Sequence, residues 1–117
     1  MRVLVIDDEP TLGRSIVRAL RHHDVTLLAD GESGLAKLKE GELPDVVLCD
    51  LMMPVCSGMD LYAELARVRP EALERIVFMT GGSYTAESDR FLAQHAVMVI
   101  TKPFEPGSLE ALVATFA

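Results

Sequence analysis

The sequence predicts an α/β fold: a doubly wound parallel sheet built from five consecutive βα units in one domain spanning residues 1–117. Three observations lead there. Five short runs rich in Val, Ile and Leu alternate with segments of helical spacing. Most of these runs are apolar throughout, as in strands covered on both faces. The 117 residues, half of them hydrophobic, match one domain's length and supply one domain's core.

The first strand covers residues 3–6. Pro10 then opens a helix that places Leu12, Ile16, Ala19 and Leu20 on one face; proline suits a first helical turn, where its missing N–H would have no partner anyway. The second strand, 25–28, ends in the turn Ala29-Asp30-Gly31. A short helix over 32–40 follows, with Leu35 and Leu38 inward and Gly41 as its stop. Strand three is 46–49 and delivers Asp50. After Gly58 a helix carries the stripe Leu61, Leu65 and Val68. Strand four is 76–79. The helix over 84–94 has only Phe91 and Leu92 as strongly apolar residues, so the least firmly packed helix is expected there. Strand five is 97–100, and the last helix, after Pro106, shows Leu109, Leu112, Val113 and Phe116 on one face. Alternation this strict calls for right-handed crossovers with helices on both faces. Beyond it there is no internal repeat, linker or low-complexity stretch.

Lys and Arg number 11 against 18 Asp and Glu, for a net charge of -7, and no basic run interrupts the chain. That argues against a nucleic-acid surface in this domain, since phosphate binding needs clustered cations. No apolar segment is long enough to cross a bilayer. The opening MRVLVIDDEP has an apolar run too short for a signal core, and acids where a cleavage site would lie. A cytoplasmic domain without membrane contact is the expectation. Cys49 and Cys56 flank Asp50 at a spacing that suits neither a metal pair nor a disulfide framework, so both are expected as reduced thiols.

Ligands of open α/β sheets bind beyond the carboxyl ends of the strands, and polar residues collect at that edge here. Strand one runs into Asp7-Asp8-Glu9, strand three into Asp50, strand four into Thr80-Gly81-Gly82 and strand five into Thr101-Lys102-Pro103. Singly, each has a plain reading: Asp7 and Glu9 as helix caps, Asp50 as a turn opener, Thr80 as loop chemistry, Lys102 as a solvated charge. Together they are harder to dismiss. Carboxylates held close repel, and the outcome is a raised pKa or a bound cation. With oxygen donors alone, the cation is hard: Mg2+, with Mn2+ as the substitute. Lys102 and the Thr80 hydroxyl would then face the oxygens of a phosphoryl group, with Asp50 as the in-line nucleophile.

Carried by VLVIDDEP, by VVLCDLMMP followed by SGMDL, by VFMTGG and by ITKPF in that order, the chain resembles the receiver domain of two-component response regulators over essentially its full length. The resemblance implies a flavodoxin- and CheY-like sheet of order 2-1-3-4-5. It implies Asp50 as phosphoacceptor, direct Mg2+ binding by Asp8 and Asp50, binding by Asp7 mainly through a water, and the backbone carbonyl of Met52 as the third protein ligand. Lys102 would contact the phosphoryl group, and Thr80 would bond it and move toward it on activation. The Lys102-Pro103 bond is implied to be cis, although an isolated peptide favours trans.

The implied donor is a phosphohistidine on a sensor histidine kinase or histidine phosphotransfer protein, with the domain catalysing its own phosphorylation and later hydrolysis. The first helix, beside the site, is the chief docking candidate. A charge change of about -1.5 to -2 would bias a two-state surface, in the family usually the fourth helix, fifth strand and fifth helix. Two departures stand out: Val99 occupies a position often aromatic, and His95 one often glycine. Output is therefore expected from residues 80–85 and the weak fourth helix, and His95 is expected as a solvated loop residue without a role. The phrase FMTGGSYTAESDRFLAQ is similar to receivers fused to hybrid sensor kinases. A stand-alone receiver and a domain of a larger protein both remain open, with a downstream effector or fused kinase domains as output partners.

Competing readings are a dehalogenase-type phosphohydrolase, a flavodoxin-like cofactor binder and a phosphate-free structural receiver. The first needs an acid two residues after the nucleophile, where Met52 stands, and a cap insertion for which there is no room. The second needs a phosphate loop after strand one, where Asp7-Asp8-Glu9 would repel the ligand. Shared topology cannot decide among them; the site must.

Overall fold

A computed structural model of the chain describes residues 1–82 and 84–117; Ser83, inside the 80–85 segment expected to rearrange, lies outside the described residues. Five parallel strands, β1 (Arg2–Ile6), β2 (Asp24–Leu28), β3 (Val46–Asp50), β4 (Ile76–Thr80) and β5 (Met98–Thr101), form one sheet of order β2-β1-β3-β4-β5. The expected order is found. β3 and β4 are buried at every residue and β1 at all but Arg2, whereas the edge strands β2 and β5 are partly exposed.

Three strands, β3, β4 and β5, run one residue past their apolar runs. Asp50 pairs with Met79 and Thr80 with Thr101, and the chain continues the pairing through Leu51 N to Met79 O (2.9 Å) and Lys102 N to Thr80 O (2.7 Å). Backbone pairing is indifferent to side-chain polarity, so the ladder extends into the polar residues. Their side chains thereby gain the positional precision of the sheet.

Helices α1 (Pro10–Ala19), α2 (Gly31–Lys39), α3 (Gly58–Val68), α4 (Ala86–Gln94) and α5 (Pro106–Ala114) cover the two faces, with a short 3-10 turn over Pro70–Arg75 that the sequence did not suggest. Side chains alternate along the strands and divide the interior in two. Ile6, Leu38, Leu61, Leu65 and Phe78 form one core, under α2, α3 and α4. Val5, Ile16, Leu20, Met79, Leu109 and Val113 form the other, under α1 and α5.

Local chemistry sets the helix ends. Asp30 caps α2 by accepting from Ser33 N at 2.7 Å, and Gly41, at φ +80°, follows its last turn. Arg69, just beyond α3, donates to the carbonyls of Leu38 (3.1 Å) and Gly41 (2.6 Å), satisfying acceptors at the end of the neighbouring helix. Ser57 and Asp60 make a reciprocal capping box that starts α3, and its apolar stripe stops at Leu65, because Val68 is 41% exposed. Thr85 and Ser88 make a similar box that starts α4 two residues after the expected beginning, leaving Tyr84 outside.

The weak packing expected of α4 is found: Ser88 is its one buried residue, with Phe91 and Leu92 half-buried. His95 corrects the expectation of a solvated loop residue. It closes α4, is half-buried, and its ring centroid lies 4.8 Å from that of Tyr62 and 4.7 Å from that of Phe91. The Lys102-Pro103 bond is cis. Among the described residues no helix is long and apolar enough to cross a membrane.

Gly58 joins α3 to the end of β3. A Cβ there would stand 2.8 Å from the Asp50 carbonyl oxygen, 2.9 Å from the Phe78 ring and 3.0 Å from Leu51 Cα. Gly58→Ala is expected to destabilise the domain by about 1–3 kcal/mol through overpacking. Urea denaturation measures this, and an unchanged midpoint would refute the close-approach account.

Candidate functional site

The carboxyl ends of β1, β3, β4 and β5 meet because the parallel register aligns them, Ile6 with Cys49, Asp50 with Met79 and Thr80 with Thr101. Asp7, the residue after β1, is tied to the sheet by its N–H, which donates to Leu28 O at 3.1 Å. Its Oδ1 accepts from Glu9 N at 2.9 Å and turns the chain into α1. Asp50 closes β3, with Oδ1 accepting from Met52 N at 3.3 Å. Both acids are buried, at 1% and 5% exposure, while Asp8 faces solvent.

Lys102 follows β5 and reaches across the strand ends. Its Nζ donates to Asp50 Oδ2 at 3.2 Å and pairs with Asp7 Oδ2 at 3.3 Å and Glu9 Oε1 at 3.7 Å. The contact with Asp7 lacks hydrogen-bond alignment, so the buried Oδ2 of Asp7 has no directed donor. Thr80, also buried, uses its Oγ1 to accept from Gly82 N at 3.2 Å.

This arrangement shifts proton affinities. Burial pushes the Asp50 carboxyl up to about 6; Lys102 opposes the rise, the charge of Asp7 adds to it, and the Met52 N–H favours the ionised form. For Lys102 burial works against the charge, but Asp50 and Asp7 outweigh it and hold the ammonium above its ordinary value. Burial first, then neighbouring acids, raises both the Cys49 and Cys56 thiols. Free and protonated, they are poor nucleophiles beside the site.

Asp7, Asp8 and Asp50 each present an oxygen within 4.8 Å of the others. One ammonium leaves this group with excess negative charge, and a buried acceptor lacks a donor. An all-oxygen set of this kind fits a hard divalent cation such as Mg2+. The sequence-expected residues Asp7, Asp8, Asp50 and Lys102 are thus brought together, with Thr80 at the adjoining strand end. Met52 contributes its N–H to Asp50, with its side chain 39% exposed. Glu9 was read as a cap, yet its side chain makes no capping bond and turns toward Lys102. Its place in an unbroken triplet of acids was the signal available.

A family model described as the response regulator receiver domain matches residues 3–114. The transcriptional regulatory protein DltR of Streptococcus agalactiae is 39% identical over 116 residues, which cover 97% of this chain and 50% of that protein. The DNA-binding response regulator MtrA of Mycolicibacterium smegmatis is 34% identical over 96% of this chain and 48% of its own length. The chain therefore spans about half the length of these curated relatives. Among solved structures, a response regulator receiver domain protein from Clostridium thermocellum superimposes with a TM-score of 0.81 at 26% identity, covering 98% of this chain and 92% of that one. The chemotaxis protein CheY4 of Vibrio cholerae, at 24% identity and a TM-score of 0.80 over 99% and 98% of the two chains, shares the fold.

Asp50 generates a pH prediction. Its folded-state pKa lies above the ordinary carboxylate value, so its contribution to folding is complete below about pH 4 and is withdrawn as pH rises through about 6. Asp50→Asn removes that loss. Thermal melts with a chelator present are expected to show the variant more stable than the native domain at pH 7–8, by on the order of 1 kcal/mol after discounting for solvent screening. The advantage should vanish toward pH 4; a constant offset would overturn this account.

Proposed function

The chain belongs to the response regulator receiver family, and from that premise we propose that it accepts a phosphoryl group onto Asp50 from a phosphohistidine in a Mg2+-dependent reaction. One observation carries the residue assignment: a single ammonium, Lys102 Nζ, stands 3.2 Å from Asp50 and 3.3 Å from Asp7 at aligned strand ends, beside a carboxylate oxygen with no directed donor.

Asp8 and Asp50 would hold the cation directly, Asp7 mainly through a water, and the Met52 carbonyl would complete the protein ligands. When bound, the cation supplies charge neutralisation for the carboxylates and for the oxygens of the transferring group. Asp50 is ionised at neutral pH yet more basic than an ordinary carboxylate, which suits a nucleophile. Its oxygen attacks phosphorus, the P–N bond to the donor histidine breaks, and the electron pair of that bond stays with the imidazole. Lys102 remains charged and moves from Asp50 to a phosphoryl oxygen. Because Thr80 Oγ1 accepts from Gly82, its own proton is free to donate to another phosphoryl oxygen. Attack by water on the same phosphorus later returns the free carboxylate and inorganic phosphate.

The donor is a sensor histidine kinase or a histidine phosphotransfer protein, which puts the reaction in the cytoplasm. A depression of about 510 Å3 bordered by Thr11, Leu12 and Ser15 of α1, with Lys102 and Pro103, supports docking of the donor beside the site. The relatives' additional length supports output through further domains, whether an effector or fused kinase domains, and not through nucleic acid or membrane contact by this one. The dehalogenase-type alternative is disfavoured by Met52, whose half-exposed apolar side chain stands where a general acid is needed.

Incubation with Mg2+ and acetyl phosphate is expected to add one phosphoryl group by intact mass, labile to base and to hydroxylamine. Chelation or Asp50→Asn should abolish the adduct, and Lys102→Met should slow its formation at least about tenfold. An adduct that persists in Asp50→Asn would sink the proposal.

A further inference from the structure

The open space beside the reacting end of the sheet is the depression of about 510 Å3 between the end of β5 and the first turns of α1. Among the described residues two charged side chains line it, Glu9 and Lys102; the rest of its wall, from α1 and from Gly81 and Pro103, is uncharged. The two differ in what they show to solvent. Lys102 keeps 10% of its side chain exposed and commits its ammonium to Asp50 and Asp7, at 3.2 and 3.3 Å. Glu9 keeps 65% exposed and stands at the margin of that ion pair, its Oε1 3.7 Å from Lys102 Nζ. An incoming ligand therefore meets the carboxylate before the ammonium.

The surrounding charges make Glu9 the surplus acid. Asp7, Asp8 and Asp50 present oxygens within 4.8 Å of one another, and one ammonium together with one divalent cation would balance these three carboxylates. Glu9 lies outside that group and is loosely engaged. Its contact with Lys102 is the longest of the three that the ammonium makes, and its side chain forms no capping bond to α1. Pro10, the first residue of α1, has no N–H to offer it. The charge of Glu9 is left at the mouth of the depression.

We propose that Glu9 is an electrostatic gate: its carboxylate repels small anionic phosphoryl donors and so favours a donor carried on a docking protein. This deepens, and rests on, the assignment of Asp50 as phosphoacceptor. A free acyl phosphate brings two negative charges and little binding surface, so nothing offsets the repulsion. A protein donor brings contacts with α1 beside the depression, and their binding energy offsets one unfavourable charge. The gate acts on capture, before chemistry; bond formation at Asp50 is the same whichever donor arrives. Repulsion by an exposed charge grows with the charge of the donor and is screened by salt. A residue that merely positioned Lys102 would act alike on every donor.

The test compares second-order rate constants for phosphorylation, read by intact mass with Mg2+ present, for the native domain, Glu9→Gln, Glu9→Lys and Glu40→Gln. The donors are acetyl phosphate, a dianion at neutral pH, and phosphoramidate, a net monoanion. Glu40, which follows α2 at the amino edge of the sheet, controls for net charge alone. At low ionic strength Glu9→Gln should speed acetyl phosphate about 3- to 10-fold and phosphoramidate by roughly the square root of that factor, with Glu9→Lys faster again. Raising the salt to about 0.5 M should shrink these gains toward unity, and Glu40→Gln should stay within about twofold of native throughout. Equal gains for the two donors, gains that survive salt, or an equal gain in Glu40→Gln would overturn the gate alone; so would unchanged or slower rates in both Glu9 variants. A native domain that takes no phosphoryl group from either donor would overturn the acceptor assignment on which the gate rests, as would an adduct on Asp50→Asn.

Discussion

The Lys102 ammonium, shared between two buried carboxylates, is the interaction around which this molecule is organised. An Asp at the end of a fully buried strand carries a desolvation cost that no neighbouring apolar residue can offset. The offset arrives from another strand, across the width of β4, and that sets demands on the rest of the chain. β3 and β5 must flank β4 in register, so that Asp50, Thr80 and Lys102 end at one level. The crossovers must all return the chain to the same edge, which parallel βα units do and hairpins do not. The raised proton affinity of Asp50 shows that the offset is incomplete. Incomplete neutralisation suits the cation and the phosphoryl group proposed for this site: full pairing in the resting state would leave neither anything to gain.

Much of this was legible in the sequence because the polar residues at the strand ends interrupt apolar runs abruptly. Asp7, Asp50, Thr80 and Lys102 each follow or close a Val/Ile/Leu segment, and a parallel fold gathers such positions without further information. The strand order itself came from the family resemblance. What stayed hidden depends on neighbours remote in sequence. His95 looks polar and follows a helix, but Tyr62 of α3 and Phe91 bury half of it. Val68 continues a helical stripe on paper, yet α3 overhangs the core by a turn and leaves it in solvent. Nothing local to Arg69 marks its role, which is to donate from its guanidinium to carbonyls of α2 and the following turn.

Glu9 illustrates a third kind of limit. Its position is that of the residue before α1, where an acid also favours the positive end of the helix dipole. Pro10 already removes one N–H there, and the pull of Lys102 draws the carboxylate the other way. Local propensity lost to an ionic contact with the far end of the chain. Such a reversal is most expected where charges are concentrated, so functional edges are where local rules read least reliably.

The division of the interior into two cores has a consequence for how such a domain diversifies. Among the described residues, the buried side chains under α1 and α5 form a cluster separate from those under α2, α3 and α4, because the sheet lies between them. Substitutions on opposite faces are therefore close to additive, whereas those on one face must be accommodated together. The face carrying α1 and the face carrying the aromatic cluster can drift along separate courses, constrained jointly at the strand ends. Lineages sharing this scaffold are free to change whom they listen to without rewriting how they answer.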